Sequence, residues 1–241
     1  MTVKLTGVRK AFRGRSVLRD IDLEIQPGRV TAILGPNGSG KTTMIKMLLG
    51  LVRPDAGTIE IGGERINGDF AYRRRIGYMP QAARFPENLS GREILAMLED
   101  LRGPDASVDR SLIEDFALEP ELDKPVRTLS GGNRQKVSAV TAFLFRPELV
   151  ILDEPTAGLD PIANGVLKER IHRERAHGRT ILLTGHVLSE VEQLADDIVF
   201  LLDEGVLFKG TLAELRTSTQ EKSLERAVAS LLLGRSVREV A

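Results

Sequence analysis

Residues 31–34, Thr-Ala-Ile-Leu, form a short apolar run that stops at Gly35-Pro36-Asn37-Gly38-Ser39-Gly40. Beyond the glycines, Met44, Ile45, Met47 and Leu48 recur at helical spacing, so the segment reads as strand, glycine loop, helix. Residues 149–152, 180–183 and 198–202 are equally continuous apolar runs of strand length. Such strands, alternating with helical stretches, predict a parallel sheet covered on both faces.

Residues 3–5, 17–23 and 58–61 have β-branched character and turn punctuation, which predicts a smaller antiparallel β-layer. Between residues 86 and 145 the periodicity turns helical, at 91–101, 110–116 and 131–145. The expectation is a single domain over 1–241. Its β-layer and core occupy 1–85 and 146–215, a helical subdomain 86–145, and a helical tail 216–241. Leu224, Ala227, Val228 and Leu231 form an apolar stripe on that tail, suited to packing on the core or on a second copy.

Composition narrows the function. Lys plus Arg and Asp plus Glu both number 34, a formal net charge of zero that gives no support to a nucleic-acid partner. Without cysteine, disulfides and thiolate metal sites are impossible. The N-terminus lacks the apolar run of a secretion signal. No stretch approaches the roughly 20 apolar residues of a membrane helix. A soluble protein is expected, with any membrane role acting through a partner.

The glycine loop supplies the chemistry. Residues 35–42 satisfy G-x-x-x-x-G-K-[ST], after an apolar strand and before a helix, the context the motif requires. Glycines let successive backbone N–H groups point at a phosphate, and the helix N-terminus favours the anion. Lys41 suits the β- and γ-phosphates of a nucleotide, and the Thr42 hydroxyl suits Mg²⁺. The strand at 149–152 ends in Asp153-Glu154. Strand alternation predicts diverging side chains, with Asp153 holding Mg²⁺ and Glu154 polarising the attacking water. Leu129-Ser130-Gly131-Gly132-Asn133 precedes a long helix, with Ser130 as N-cap and a second anion site at the helix start. Two anion sites but one carboxylate pair make sense if the second serves the nucleotide of another subunit.

With these motifs in order, residues 3 to 215 resemble the nucleotide-binding domains of ABC transporters. The resemblance implies an α/β P-loop NTPase core with a parallel sheet, an N-terminal antiparallel β-layer and an inserted α-helical subdomain. It implies an ATP contact set of Phe12, Val17, Gly35, Pro36, Asn37, Gly38, Ser39, Gly40, Lys41, Thr42 and Thr43, with Phe12 stacking on adenine. Gln81, after Ile76-Gly77-Tyr78-Met79-Pro80, resembles the glutamine that links Mg²⁺ and attacking water to the helical insertion. Ser130, Gly131, Gly132 and Asn133 would act in trans, Asp160 in a dimer-interface loop, and His186 as a γ-phosphate switch. Two departures stand out: Asn133 where the family usually has Gln, and Gly185 where it often has Ser.

The resemblance further implies a head-to-tail dimer, homodimeric or with a paralogous ATPase subunit, with ATP between one phosphate loop and the other subunit's signature. An integral-membrane permease would complete the system, placing the chain in the cytoplasm on the inner face of the cell membrane. Residues 76–81, 85–93 and 160–163 resemble the ATPases of copper-processing systems for nitrous-oxide reductase maturation. They are also similar to the drug, lipid and polysaccharide exporters. A soluble ABC ATPase of iron–sulfur cluster assembly is the alternative from another class. Repair ATPases carry a long coiled-coil insertion, for which the interval between the two halves of the site is too short.

Overall fold

The computed structural model describes residues 1–238, with side chains as far as 234; residues 239–241 of the expected tail lie outside the described residues. The elements begin with β1 (Val3–Phe12), β2 (Arg15–Ile25), β3 (Val30–Leu34), α1 (Lys41–Leu48), β4 (Ala56–Ile61) and β5 (Glu64–Arg65). Next come β6 (Ile76–Met79), α2 (Gly91–Arg102), α3 (Ser111–Asp115), α4 (Gly131–Phe143), β7 (Leu149–Asp153) and α5 (Pro161–Ala176). The chain closes with β8 (Thr180–Thr184), α6 (Leu188–Leu194), β9 (Asp197–Leu202), β10 (Gly205–Thr211), α7 (Leu212–Thr219) and α8 (Leu224–Arg238). Two compact units result, residues 1–70 with the chain from 182 onward, and residues 71–181.

In the first unit, the predicted antiparallel layer has the order β2-β1-β4-β5. Val3 pairs with both Ile25 and Ile61, and Leu5 with Leu23 and Ile59, so alternate residues of three strands bury one apolar face. The second sheet runs β10-β9-β3-β8 here, with β3 parallel to β9 but β10 antiparallel to it. The sheet is therefore mixed where the sequence predicted parallel strands alone. β10 has only the short apolar stretch Val206-Leu207-Phe208 before Lys209, Gly210 and Thr211, and most of it is only half-buried. Its hairpin turns on Asp203-Glu204, at φ 44° and 70°, a conformation usually signalled by Asn-Gly or Asp-Gly. The tail packs on its own unit: α8 contacts α6 and α7, with Leu224 and Ala227 fully buried.

In the second unit the strand order is β8-β7-β6, with β6 parallel to β7 and every residue of β7 buried. Between residues 86 and 145 the helices and strands assigned are α2, α3, α4 and short 3₁₀ turns, as the periodicity predicts. A capping box starts α2: Ser90 Oγ accepts from the Glu93 N–H, and the Glu93 carboxylate accepts from the Ser90 N–H.

A buried ion-pair network ties α5 to the segment before α3. Arg170, 2% exposed, donates to Asp109 at 3.0 Å, to Ser111 Oγ at 2.8 Å and to Glu174 at 2.8 Å. Burial pushes the Asp109 carboxyl up, but Ser111 and the Arg170 guanidinium prevail and bring it down to about 2. A carboxylate with a depressed folded-state pKa contributes stability that is present above its unfolded value of about 4. That contribution is lost as pH falls through about 2. Asp109→Asn is expected to lower the unfolding free energy at pH 7 by on the order of 2 kcal/mol. The gap should narrow as the pH is taken below 4 in urea titrations; equal stability at pH 7 would refute the assignment.

Candidate nucleotide site

The first unit carries the phosphate loop. Gly35 has φ 145° and Gly40 φ 99°; a Cβ at Gly35 would sit 2.3 Å from the Leu201 carbonyl oxygen, and one at Gly40 2.5 Å from Leu18 Cδ2. Both positions therefore demand glycine. Gly40 caps α1 with no side-chain hydrogen bond, leaving the first-turn N–H groups available to an anion. Lys41 Nζ donates to the carbonyl oxygens of Gly35 at 2.7 Å and Pro36 at 3.0 Å, so the ammonium closes over the loop. Ser39 Oγ is buried without a hydrogen-bond partner in the same loop. Glycine backbone, ammonium and spare hydroxyl together fit a polyphosphate. Pro36, Asn37, Gly38 and Thr42 are exposed, and Thr43 is half-buried.

Val17, half-buried in β2, presents its carbonyl oxygen 3.1 Å from the position of a Gly40 Cβ, which brings it against the loop. Phe12 ends β1 with its ring 45% exposed and Lys10 Nζ 5.2 Å from the ring centroid. His186 is exposed in the turn from β8 to α6. A Cβ at Gly185 would meet Val191 Cγ2 at 2.9 Å, so a side chain there would require Val191 to shift.

The second unit holds the acids and the signature. Asp153 ends β7 and is 5% exposed. Its charge and, more strongly, burial push the Tyr78 hydroxyl up to about 12. Glu154 follows with φ 50° and is half-buried. Glu154 thus lies in a left-handed turn beyond the end of β7, outside the strand whose alternation was expected to part the two acids. Gln81 Nε2 donates to Glu154 Oε2 at 2.8 Å, so two residues 73 positions apart meet as one pair.

Ser130 caps α4, its Oγ accepting from the Asn133 N–H at 3.1 Å. Asn133 Nδ2 donates to Glu121 Oε2 at 3.1 Å. Gly131 is exposed and Gly132 half-buried; a Cβ on Gly132 would stand 3.2 Å from the Gly158 carbonyl oxygen. Asp160 caps α5 by accepting from the Ala163 N–H at 2.8 Å and pairs with Lys136 at 3.3 Å. The Ala163 N–H first, then Lys136, hold its carboxyl below the usual aspartate range. Sequence reasoning gave no role to Gln135, Lys136, Glu121 or Tyr78. Gln135 and Lys136 lie two and three residues beyond the signature, which was the available signal.

Phosphate loop, Phe12, Val17 and His186 thus belong to one unit, and Gln81, the signature, both acids and Asp160 to the other. A family model described as ABC transporter matches residues 18–157. The chain belongs to the ABC transporter family. Nod factor export ATP-binding protein I of Ralstonia nicotianae is 36% identical over 220 residues, covering 89% of this chain and 68% of its own length. The daunorubicin/doxorubicin resistance ATP-binding protein of Streptomyces peucetius is 36% identical over 221 residues, covering 90% and 67%. A solved ATP-binding subunit of an ABC transporter superposes with a TM-score of 0.90 at 33% identity, covering 96% of this chain and all of its own. A dimeric ATP-binding cassette in a post-hydrolysis state with ADP and phosphate shares the fold, with a TM-score of 0.76 at 24% identity, covering 87% and 98%.

This ABC protein is an ATP-binding domain and an ATPase of its family. Among the described residues no helix is long and apolar enough to cross a membrane.

Proposed function

We propose that this ABC ATPase drives export through a separate membrane permease, with hydrolysis at two sites shared between paired ATPase subunits. The observation that carries the hydrolytic reading is the Gln81–Glu154 hydrogen bond beside the buried Asp153. It supplies a carboxylate already oriented by an amide, which is what a base for an attacking water requires. The phosphate loop with Lys41 binds the β- and γ-phosphates, and Phe12 with Val17 receives the adenine side. His186 contacts the γ-phosphate. Asp153, Thr42 and Gln81 offer the oxygen donors that suit Mg²⁺, which when bound supplies charge neutralisation at the phosphates.

The capped start of α4, at Ser130 to Asn133, binds the γ-phosphate of the facing subunit, and Asp160 lies in the loop between subunits. Asn133 keeps the amide of the usual glutamine with shorter reach. Its bond to Glu121 fixes that amide within its own subunit.

Export is supported by relatives named for Nod factor export and daunorubicin resistance. A drug, lipid or polysaccharide is the cargo class proposed. The copper-processing reading rests only on the local phrasing at residues 76–81, 85–93 and 160–163. A cytoplasmic position against the inner face of the cell membrane follows from the permease.

The test is to purify tagged Glu154→Gln protein with ATP from detergent-solubilised native membranes and identify its partners by mass spectrometry. A multi-span membrane protein at matching stoichiometry is expected. Only soluble partners, from membranes shown to be fully extracted, would overturn the transport reading in favour of an assembly ATPase.

A further inference from the structure

Gln135, on α4, is 7% exposed, and its Nε2 donates to two backbone carbonyls from other loops. The Gln81 carbonyl oxygen lies at 3.0 Å and that of Ala157 at 3.4 Å. Gln81 in turn donates its side-chain amide to Glu154, while the Ala157 N–H donates to the Glu154 carbonyl oxygen at 3.1 Å. One side chain therefore holds the backbone of both loops that bear on Glu154. The neighbouring Lys136 adds a pair to Asp160 at 3.3 Å, in the loop that Ala157 belongs to.

The orientation of the Gln135 amide follows from its neighbours. Both are carbonyl oxygens, so the NH₂ must face them and Oε1 must face away. Oε1 is buried with no hydrogen-bond partner. A buried acceptor left unsatisfied is costly, and methionine could fill the same space without it. The residue is held for its two N–H groups.

We propose that Gln135 is a positioning residue for hydrolysis, transmitting the placement of the signature helix to Gln81 and through it to Glu154. A displacement of α4 carries the Gln81 backbone with it and so moves the amide that orients the Glu154 carboxylate. This inference rests on the proposed roles of Gln81 and Glu154. It adds a route by which the helix begun by Ser130 reports to the carboxylate of its own subunit.

The test compares Gln135→Met and Gln135→Glu in wild-type and Gln81→Ala backgrounds, reading kcat, KM for ATP and thermal midpoint. Methionine keeps the length and removes both donors, and is expected to lower kcat about tenfold, the effect of roughly one lost buried hydrogen bond. KM should stay within about twofold, since no nucleotide contact is removed. Glutamate places a carboxylate against two carbonyl oxygens and should lower kcat further. In the Gln81→Ala background the methionine substitution should change kcat less than about twofold, because the amide through which it acts is gone.

An unchanged kcat in a folded Gln135→Met protein would overturn the proposal. So would an equal loss in both backgrounds, which would mark Gln135 as acting by another path. If Gln81→Ala alone keeps wild-type kcat, the fault lies with the Gln81 assignment, and the inference falls with it.

Discussion

Glu154→Gln is expected to retain ATP binding and lose two to four orders of magnitude in turnover, roughly the range a positioned general base supplies. Glutamine has the same length, so the pair with Gln81, now 2.8 Å, can persist with the amide as acceptor. What disappears is the negative charge that polarises water. The left-handed backbone at φ 50° is set by the turn after β7, not by the side-chain charge, so the loop geometry should survive. A subunit that binds ATP but cannot cleave it should accumulate as the ATP-held dimer. Phosphate release and gel filtration with ATP give the two readouts. Turnover near wild type would falsify the assignment of Glu154. Lost turnover without a dimer would instead count against the shared site.

Much of this site was legible because its motifs are short, contiguous and governed by backbone geometry. The phosphate loop needs glycine at Gly35 and Gly40 for steric reasons that any chain of this shape must obey. Ser130 is legible as a cap because its hydroxyl serves an N–H three residues along. Fully buried strands such as β7 announce themselves as unbroken apolar runs.

What escaped was whatever depends on residues distant in the chain. The contact of Gln81 with Glu154 spans 73 positions, and the bond of Gln135 to Gln81 spans 54. No local pattern encodes either. The antiparallel β10 was missed because its apolar stretch, Val206 to Phe208, is only three residues long, half-buried and without strict alternation. Its turn uses Asp203-Glu204 in place of a glycine pair. The capping role of Asp160 was open to reading, since Asp before Pro161 is a helix-start signal.

Lys41→Ala is the second large effect, and it falls on binding rather than on chemistry. Lys41 opens α1, and its ammonium already bonds the Gly35 and Pro36 carbonyl oxygens that frame the loop. A phosphate entering this cradle meets backbone N–H groups, the helix N-terminus and a cation held in place beforehand, so little ordering is needed at binding. Charge-assisted hydrogen bonds contribute about 1.5–3 kcal/mol each, so removing the ammonium should weaken ATP binding by roughly tenfold to more than a hundredfold. The two bonds to the loop are also lost, but they lie at a partly exposed site, so the fold should tolerate the change. Calorimetric titration with ATP, beside a thermal melt of the same protein, separates the two effects. Weak binding by a protein that melts normally places the loss in the cradle. Unchanged affinity would mean that the backbone and helix terminus hold the phosphates unaided, and that the lysine serves only to brace the loop.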